Sequence, residues 1–404
     1  MESEELLSLF LDVGVALIRS GGETHRVVDT LYRLAHSYEF REINFWVVPS
    51  NIQATVRDRD GRILTQIRNI RGAGIDYDRL ARLNALSRWA CSEKPDLAAL
   101  QARLREIRSV PPQKTWVYYL GFAIGGWGFG LFFGCELTES VVALLAALLI
   151  AFLVRMLSAH EGNPLVVNFF VSFLTESFII LAVHLGIGKH IGLITIGVVM
   201  LVISGLGTTN GLRDLVHLDT LSGVMNITAA FIGAIGISLG IALPLYLFRG
   251  WVDPTVVNPG ATVAAQLIAG TFACVGFAFS FNVKGRKSFF CAVGTFLTTG
   301  VYLLVAHFTP DLFVSTLVAS ICCGLYAQIM ARVNKTPATI FSTICILTLI
   351  PGSSLYYAMH GIVTKNLPFA LQKAEELGLT CFGIVLGYMV VEVLNRFLWK
   401  RPHH

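Results

Sequence analysis

The period of the hydrophobic positions changes twice along this chain. Residues 4–19 place Leu6, Leu7, Phe10, Val13 and Leu17 at helical spacing, and beyond Gly21-Gly22 a second amphipathic helix is predicted over about 24–38. From Ile43 the runs INFWVV, NIQATVRD and GRILTQIRNI are β-rich, with Pro49-Ser50-Asn51 and Asp60-Gly61 as turns, which predicts a meander of three strands. Helical spacing returns in YDRLARLNALSRWA and DLAALQARLREI, divided by Lys94-Pro95, and the unit closes at Pro111-Pro112. Residues 1–112 are therefore expected to form a small α+β domain. Its acidic start, MESEELL, lacks the basic n-region of a secretory signal, so the domain is expected to stay in the cytosol.

Past Lys114 the pattern becomes a series of ten apolar segments, at about 116–135, 140–157, 165–184, 191–207, 224–248, 261–281, 288–308, 312–331, 338–355 and 378–399. Each suits a spanning helix, the second and fourth being short. With the N-terminal domain inside, the outer connections hold only Lys189, Arg249, Lys365 and Lys373, and the other flanking Lys and Arg fall inside. Both termini are then cytosolic. The starts of the first four segments, shifted by 145, fall close to those of the sixth to ninth, and the shift carries Gly207-Thr208-Thr209 onto Gly352-Ser353-Ser354. An odd count of five reverses the second copy. The expected fold is an α-helical polytopic membrane protein with ten transmembrane helices in two inverted repeats, 113–250 and 251–404, behind the cytosolic domain.

Composition agrees with this division. The chain is 54% hydrophobic and 14% charged over 404 residues, and residues 1–115 hold 17 of the 31 Lys and Arg and 15 of the 26 Asp and Glu. A soluble single-core enzyme is excluded, and the net charge of +5 is not gathered into a stripe for nucleic acid. The eight Cys lack CxxC spacing and sit mostly in apolar runs, so they read as small apolar residues; neither a metal nor another cofactor is expected. No GxSxG, HExxH, Walker A loop or dinucleotide fingerprint is present, which points away from an enzyme. His25 and Asp29, at i and i+4, read as a surface pair.

The candidate chemistry lies in the membrane part. The fourth segment of each half is interrupted, by SGLGTTNGLRDL and by IPGSSLYYAM, with each break about 20 Å into a core about 30 Å thick. Backbone groups freed there need partners, so paired breaks point to a binding site; ordinary interfacial helix ends are the alternative. Gly207, Thr208, Thr209, Asn210, Gly352, Ser353 and Ser354 offer backbone, hydroxyl and amide groups suited to a zwitterion or carboxylate. Arg213, Asp214, His217 and Asp219 follow in what reads as one cytosolic connection, either as a site or as a solvated loop. Glu176, in the middle of the third segment, is the first candidate for proton coupling, with a protonated packing role as the alternative. Glu392 lies nearer a membrane surface and ranks lower, and Asn168, Asn226, Gln266 and Asn282 read first as inter-helix hydrogen-bonding amides.

SGGETHRVVDTLYRLAHSY, IRNI, YDRLARLNALSRW and GLGTTNGLRDLVHLDTLSG, in that order, resemble the bacterial threonine/serine exporter family in its fused form, an N-terminal domain plus five helices followed by five more. The resemblance spans essentially the whole chain. It implies a plasma-membrane (inner-membrane) exporter of small amino acids by proton antiport, with relatives that look like dicarboxylate exporters. It carries the family's Gly-rich break onto Gly207, its Arg/Asp pair onto Arg213 and Asp214, its Asp-x-x-Ser-Gly onto Asp219, Ser222 and Gly223, and its Pro-Gly onto Pro351 and Gly352. The chain departs from the family in having Leu206 before Gly207 and Asn226 where a basic residue is common, which makes Asn226 a substrate-binding candidate. Glu23, Arg26 and Asp29 match the N-terminal pattern without an evident chemistry, in a domain that reads as a gate, regulator or assembly module.

The expectation is thus a secondary exporter of threonine or serine in exchange for protons, embedded in lipid and free to form a homo-oligomer. A dicarboxylate exporter and a passive small-metabolite channel are the alternatives. A membrane enzyme or receptor is a more distant rival.

Overall fold

The computed structural model describes residues 2–70, 72, 74–202, 205–216, 219–251, 261–363 and 365–398. Its N-terminal part folds as α1 (Glu2–Arg19), α2 (Thr24–Ser37), β1 (Arg41–Val48), β2 (Asn51–Arg57), β3 (Ile63–Asn69), α3 (Tyr77–Glu93) and α4 (Leu97–Ser109). The strands form an antiparallel sheet in the order β1-β2-β3, with Trp46 opposite Gln53 and Gln53 opposite Ile67. Alternation along β2 sends Ile52, Ala54 and Val56 into a core with Leu7, Phe10, Leu31 and Leu83. Every predicted element of this domain is present.

Eight helices are long and apolar enough to cross a membrane among the described residues: α5 (Thr115–Phe133), α6 (Leu137–Leu157), α7 (Pro164–His184), α10 (Thr220–Leu247), α11 (Val263–Ser280), α12 (Arg286–Phe308), α13 (Leu312–Asn334) and α16 (Leu367–Leu398). The chain is a multi-pass membrane protein. The fourth and ninth expected segments are instead two short pairs, α8 (Ile191–Val199) with α9 (Gly205–Val216) and α14 (Ala338–Cys345) with α15 (Gly352–Val363). None of the four meets the length of a span alone. The last helix starts at Leu367, eleven residues before the apolar segment, because Ala370, Leu371, Gln372, Lys373 and Glu375 continue the helix at low cost.

Small residues set the packing. Helices α5 and α11 touch backbone to backbone: a Cβ on Gly276 would lie 2.5 Å from the Gly125 nitrogen and 2.6 Å from the Gly121 oxygen. Two further close pairs are α7 against α10 and α13 against α16. Gly240 meets the Phe169 oxygen in the first pair, and Gly387 meets Ser320 in the second.

The N-terminal domain is seated on the second half. The Tyr77 N–H donates to the Phe281 oxygen at 3.0 Å, Asn282 Nδ2 donates to Asp76 Oδ1 at 2.8 Å, and Arg88 Nη2 donates to the Lys335 oxygen at 2.6 Å. Tyr77 is buried and packs edge-on against Phe281. Asp78 Oδ2 accepts from Lys284 Nζ and Arg82 Nε, both at 3.0 Å.

Burial works to raise the Asp78 carboxyl, but Lys284 and Arg82 outweigh it and hold the group below its ordinary value. A depressed carboxyl stabilises the fold above the unfolded value and loses that contribution as pH falls through the folded one. Asp78→Asn is expected to lower the melting temperature of the detergent-purified protein at neutral pH by about 2 °C. The gap from wild type should close as pH is taken below ~4. Thermal melts at a series of pH values check this.

Candidate functional site

Among the described residues, both interruptions have buried side chains. In the first, α8 ends at Val199, earlier than Ile203 where the sequence pattern places the break, and Met200 is buried. The N–H groups of Leu201 and Val202 turn back onto Val198 and Val199 at 3.0 Å. In the second, α14 ends at Cys345, and Ile346, Leu347, Leu349 and Ile350 are buried. Pro351 lacks an N–H and restricts Ile350, so the helix cannot run through, and α15 restarts at Gly352. The two breaks approach one another: Val199 packs in one cluster with Ile237 and Ile241 of α10 and Tyr356 of α15.

Beside that cluster lies Glu176. It is 2% exposed on α7, and Thr195 Oγ1 of α8 donates toward its two carboxyl oxygens at 3.1 and 2.9 Å. Tyr356 is within electrostatic range of the same carboxyl. Among the described residues no cation pairs with it in an ion bridge. Thr175 Oγ1 and Ser238 Oγ are buried with no hydrogen-bond partner among the described residues. Ser238 continues the face of α10 on which Ala234 packs with Leu355 and Cys381, the side of α15 and α16. An ionisable carboxyl and two unsatisfied hydroxyls thus lie near the interruptions, the kind of polar set that apolar packing alone does not require.

A second group sits at the corner of α9 and α10. Gly211 and Gly223 bring the backbones into contact, since a Cβ on Gly223 would lie 2.7 Å from the Gly211 oxygen. That crossing presses Asp214 onto α10, where it is 5% exposed and Asp214 Oδ2 accepts from Asn226 Nδ2 at 2.9 Å. Asp214 is a buried helical residue and is not part of a solvated connection, because the helix re-forms at Gly205 and runs to Val216. Its carbonyl accepts the Asp219 N–H at 2.9 Å, which closes the corner. Asp219 stands at the N-cap of α10 without a side-chain cap bond, and Ser222 is buried one turn on. Asn226 and Ile237 are eleven residues apart on α10, about 16 Å, so this corner is distinct from the Glu176 cluster.

The remaining candidates divide by position. Gly352 is buried and Ser353 and Ser354 are half-buried in the first turn of α15. Gly207 is half-buried, Asn210 is exposed, and both lie within α9. The side chains of Thr208, Thr209 and Arg213 lie outside the described residues, as does the whole of His217. Asn168 donates to the Gly233 oxygen at 3.4 Å, an inter-helix bond of the expected kind. Thr195, Thr175, Ser238 and Tyr356 escaped sequence reasoning. Thr195 had one signal, as the lone hydroxyl in IGLITIGVV. No group of three His, Cys, Asp or Glu is placed to hold a metal among the described residues.

Residues 8–248 match the sequence family described as "Putative threonine/serine exporter", and residues 266–394 match "Threonine/Serine exporter, ThrE". The chain is 23% identical over 430 residues to a protein of Mycobacterium tuberculosis (strain ATCC 25618 / H37Rv) described as "Probable threonine/serine exporter". That alignment covers 98% of this chain and 78% of the other. No solved structure matches.

If Asn226 serves to satisfy the buried Asp214, removing its donor should cost about 1–3 kcal/mol. Asn226→Ala is expected to lower yield and melting temperature, and Asn226→Asp to lower them further by setting two carboxylates together. Combining Asp214→Asn with Asn226→Asp should recover most of the loss, read as melting temperature of the purified variants.

Proposed function

Because the chain belongs to the threonine/serine exporter family, we propose that it exports threonine or serine in exchange for protons, through ten spans arranged as two inverted five-helix repeats. In this reading residues 1–112 form the cytosolic domain, and 113–250 and 251–404 form the two repeats, with both termini inside. The pairs α8/α9 and α14/α15 are the two interrupted spans that bring eight continuous helices to ten. The recurrence of α7 on α10 as α13 on α16, about α5 and α11 packed on each other, supports the duplication.

The observation that carries the transport reading is Glu176, a buried carboxyl that pairs with no cation among the described residues and lies beside the cluster joining α8 to α15. An interior carboxylate is costly unless it takes up a proton or meets a positive group. A proton and the ammonium of an amino acid then compete for it, and that exclusion is what obligatory exchange requires. The first turn of α15 offers backbone N–H groups and the positive end of a helix to the substrate carboxylate. Thr175 and Ser238 are suited to the hydroxyl that threonine and serine share. A dicarboxylate would set a second negative group against Glu176, which favours the amino acid. Asp214, Asn226, Asp219 and Ser222 form the fixed corner from which α9 runs toward the break, with Arg213 beside Asp214.

Glu176→Gln keeps the shape and the acceptor for Thr195 but removes titration. In proteoliposomes, proton-driven efflux of threonine against its gradient is expected to fall at least about tenfold, with threonine counterflow surviving at a raised KM. Unchanged uphill efflux would return Glu176 to packing, and dicarboxylate counterflow stronger than that of threonine would replace the substrate.

A further inference from the structure

Each interrupted span opens with a short half-helix, α8 or α14, and neither is capped by the side chain of its own N-cap residue, His190 or Pro337. A helix start leaves N–H groups unsatisfied and carries partial positive charge, so an acceptor from elsewhere is favoured there. For α8 that acceptor is Glu139, from the first turn of α6. Glu139 Oε1 accepts the N–H groups of Lys189 and His190, both at 2.9 Å, and lies 2.7 Å from His190 Nδ1, with the residue 1% exposed.

Among the described residues the second half has no counterpart of its own. Helix α12, which stands in that half where α6 stands in the first, has no acidic residue in its first turn and opens Arg286-Lys287-Ser288. A carboxylate reaches α14 from the N-terminal domain. Glu23 Oε1 accepts from Thr339 Oγ1 at 3.0 Å, and Thr339 is the second residue of α14. The other oxygen, Oε2, lies 2.8 Å from Arg26 Nε and 3.5 Å from His25 Nε2. Both half-helix starts thus have a carboxylate with a histidine beside it.

Glu23 stands at the N-cap of α2 and yet does not cap it, its carboxyl being turned to α14. The corner that holds it there requires glycine. Gly21 has φ +87°, and a Cβ on Gly22 would lie 2.8 Å from the Leu17 oxygen. The SGGETHR run thereby gains a physical task.

We propose that Glu23 is a positioning residue for the second interrupted span, supplied by the N-terminal domain in place of the carboxylate that the first repeat carries at Glu139. The domain is then a fixed part of the second repeat, and it sets where α14 begins and so where the break from Ile346 to Pro351 lies. This rests on the reading of α8/α9 and α14/α15 as the transporting elements.

The test uses the full chain in lipid nanodiscs for hydrogen exchange and in proteoliposomes for threonine efflux. E23Q is expected to speed exchange over 338–350 about fivefold and leave 191–202 unchanged, with E139Q giving the reverse pattern. In efflux, E23Q should lower the maximal rate about fivefold with KM within about twofold, and E23D, which keeps the charge, should recover most of the rate. T339V should act in the same direction, and the E23Q/T339V double variant should be no worse than E23Q. Should E23Q fail to fold, the exchange pattern of T339V decides in its place. Exchange at 338–350 left unchanged, or raised equally at 191–202, overturns the proposal, as does a well-folded E23D as slow as E23Q. Wild-type vesicles that move neither threonine nor serine would end the transport reading, and the exchange pattern would still decide the role of Glu23.

Discussion

A backbone amide cannot be left to hydrocarbon, and much of this protein is arranged around two places where the chain breaks that rule locally. After Val199 and after Cys345 regular helix gives way to turns, and a helix resumes at Gly205 and at Gly352. The long helices pack through close contacts of small residues. Gly121, Gly125 and Gly276 let α5 and α11 meet at the centre, and the glycines of α10 let it lie against α7 with a face left for α8 and α15. Burial of Met200 and of Ile346, Leu347, Leu349 and Ile350 is the consequence.

The same enclosure gives Glu176 its character. A carboxyl left to lipid would be neutralised or drawn to the surface; here it is enclosed within the protein and accepts from the Thr195 hydroxyl. Asp214 is the contrasting case. It is also buried, but the Asn226 amide and the closed corner hold it, so its chemistry is spent on geometry. Two buried acidic residues thus differ in setting: among the described residues Asp214 is held by the Asn226 amide, and Glu176 by the Thr195 hydroxyl.

The N-terminal domain follows the asymmetry between the halves. Its polar ties run to the ends of α11, α13 and α14 and to the turn after α11, and its core is continuous with theirs. Tyr77, buried against Phe281, lies at the heart of that interface, and separating the two would expose both rings to water.

Hydrophobic period and turn residues alone determined the three strands and four helices of the first domain, the eight long helices and the existence of both interruptions. Each of these depends on local spacing: alternation in β2, apolar runs near 20 residues, and Pro351-Gly352 or Gly205 in a helical segment. Family membership was legible as well, because the order of motifs is a property of the string. What the string left open was every relation across distance. Thr195 next to Glu176, Asn226 under Asp214, Tyr356 near Glu176 and Glu23 at the head of α14 join residues 12 to 316 positions apart. The string left Asp214 open between a site and a solvated loop, and the close approach of Gly211 and Gly223 sets it against α10. Local spacing fixes which residues share a helix face, but which faces meet is decided by close packing among helices whose apolar surfaces are nearly interchangeable in sequence, and that is settled only in the folded whole.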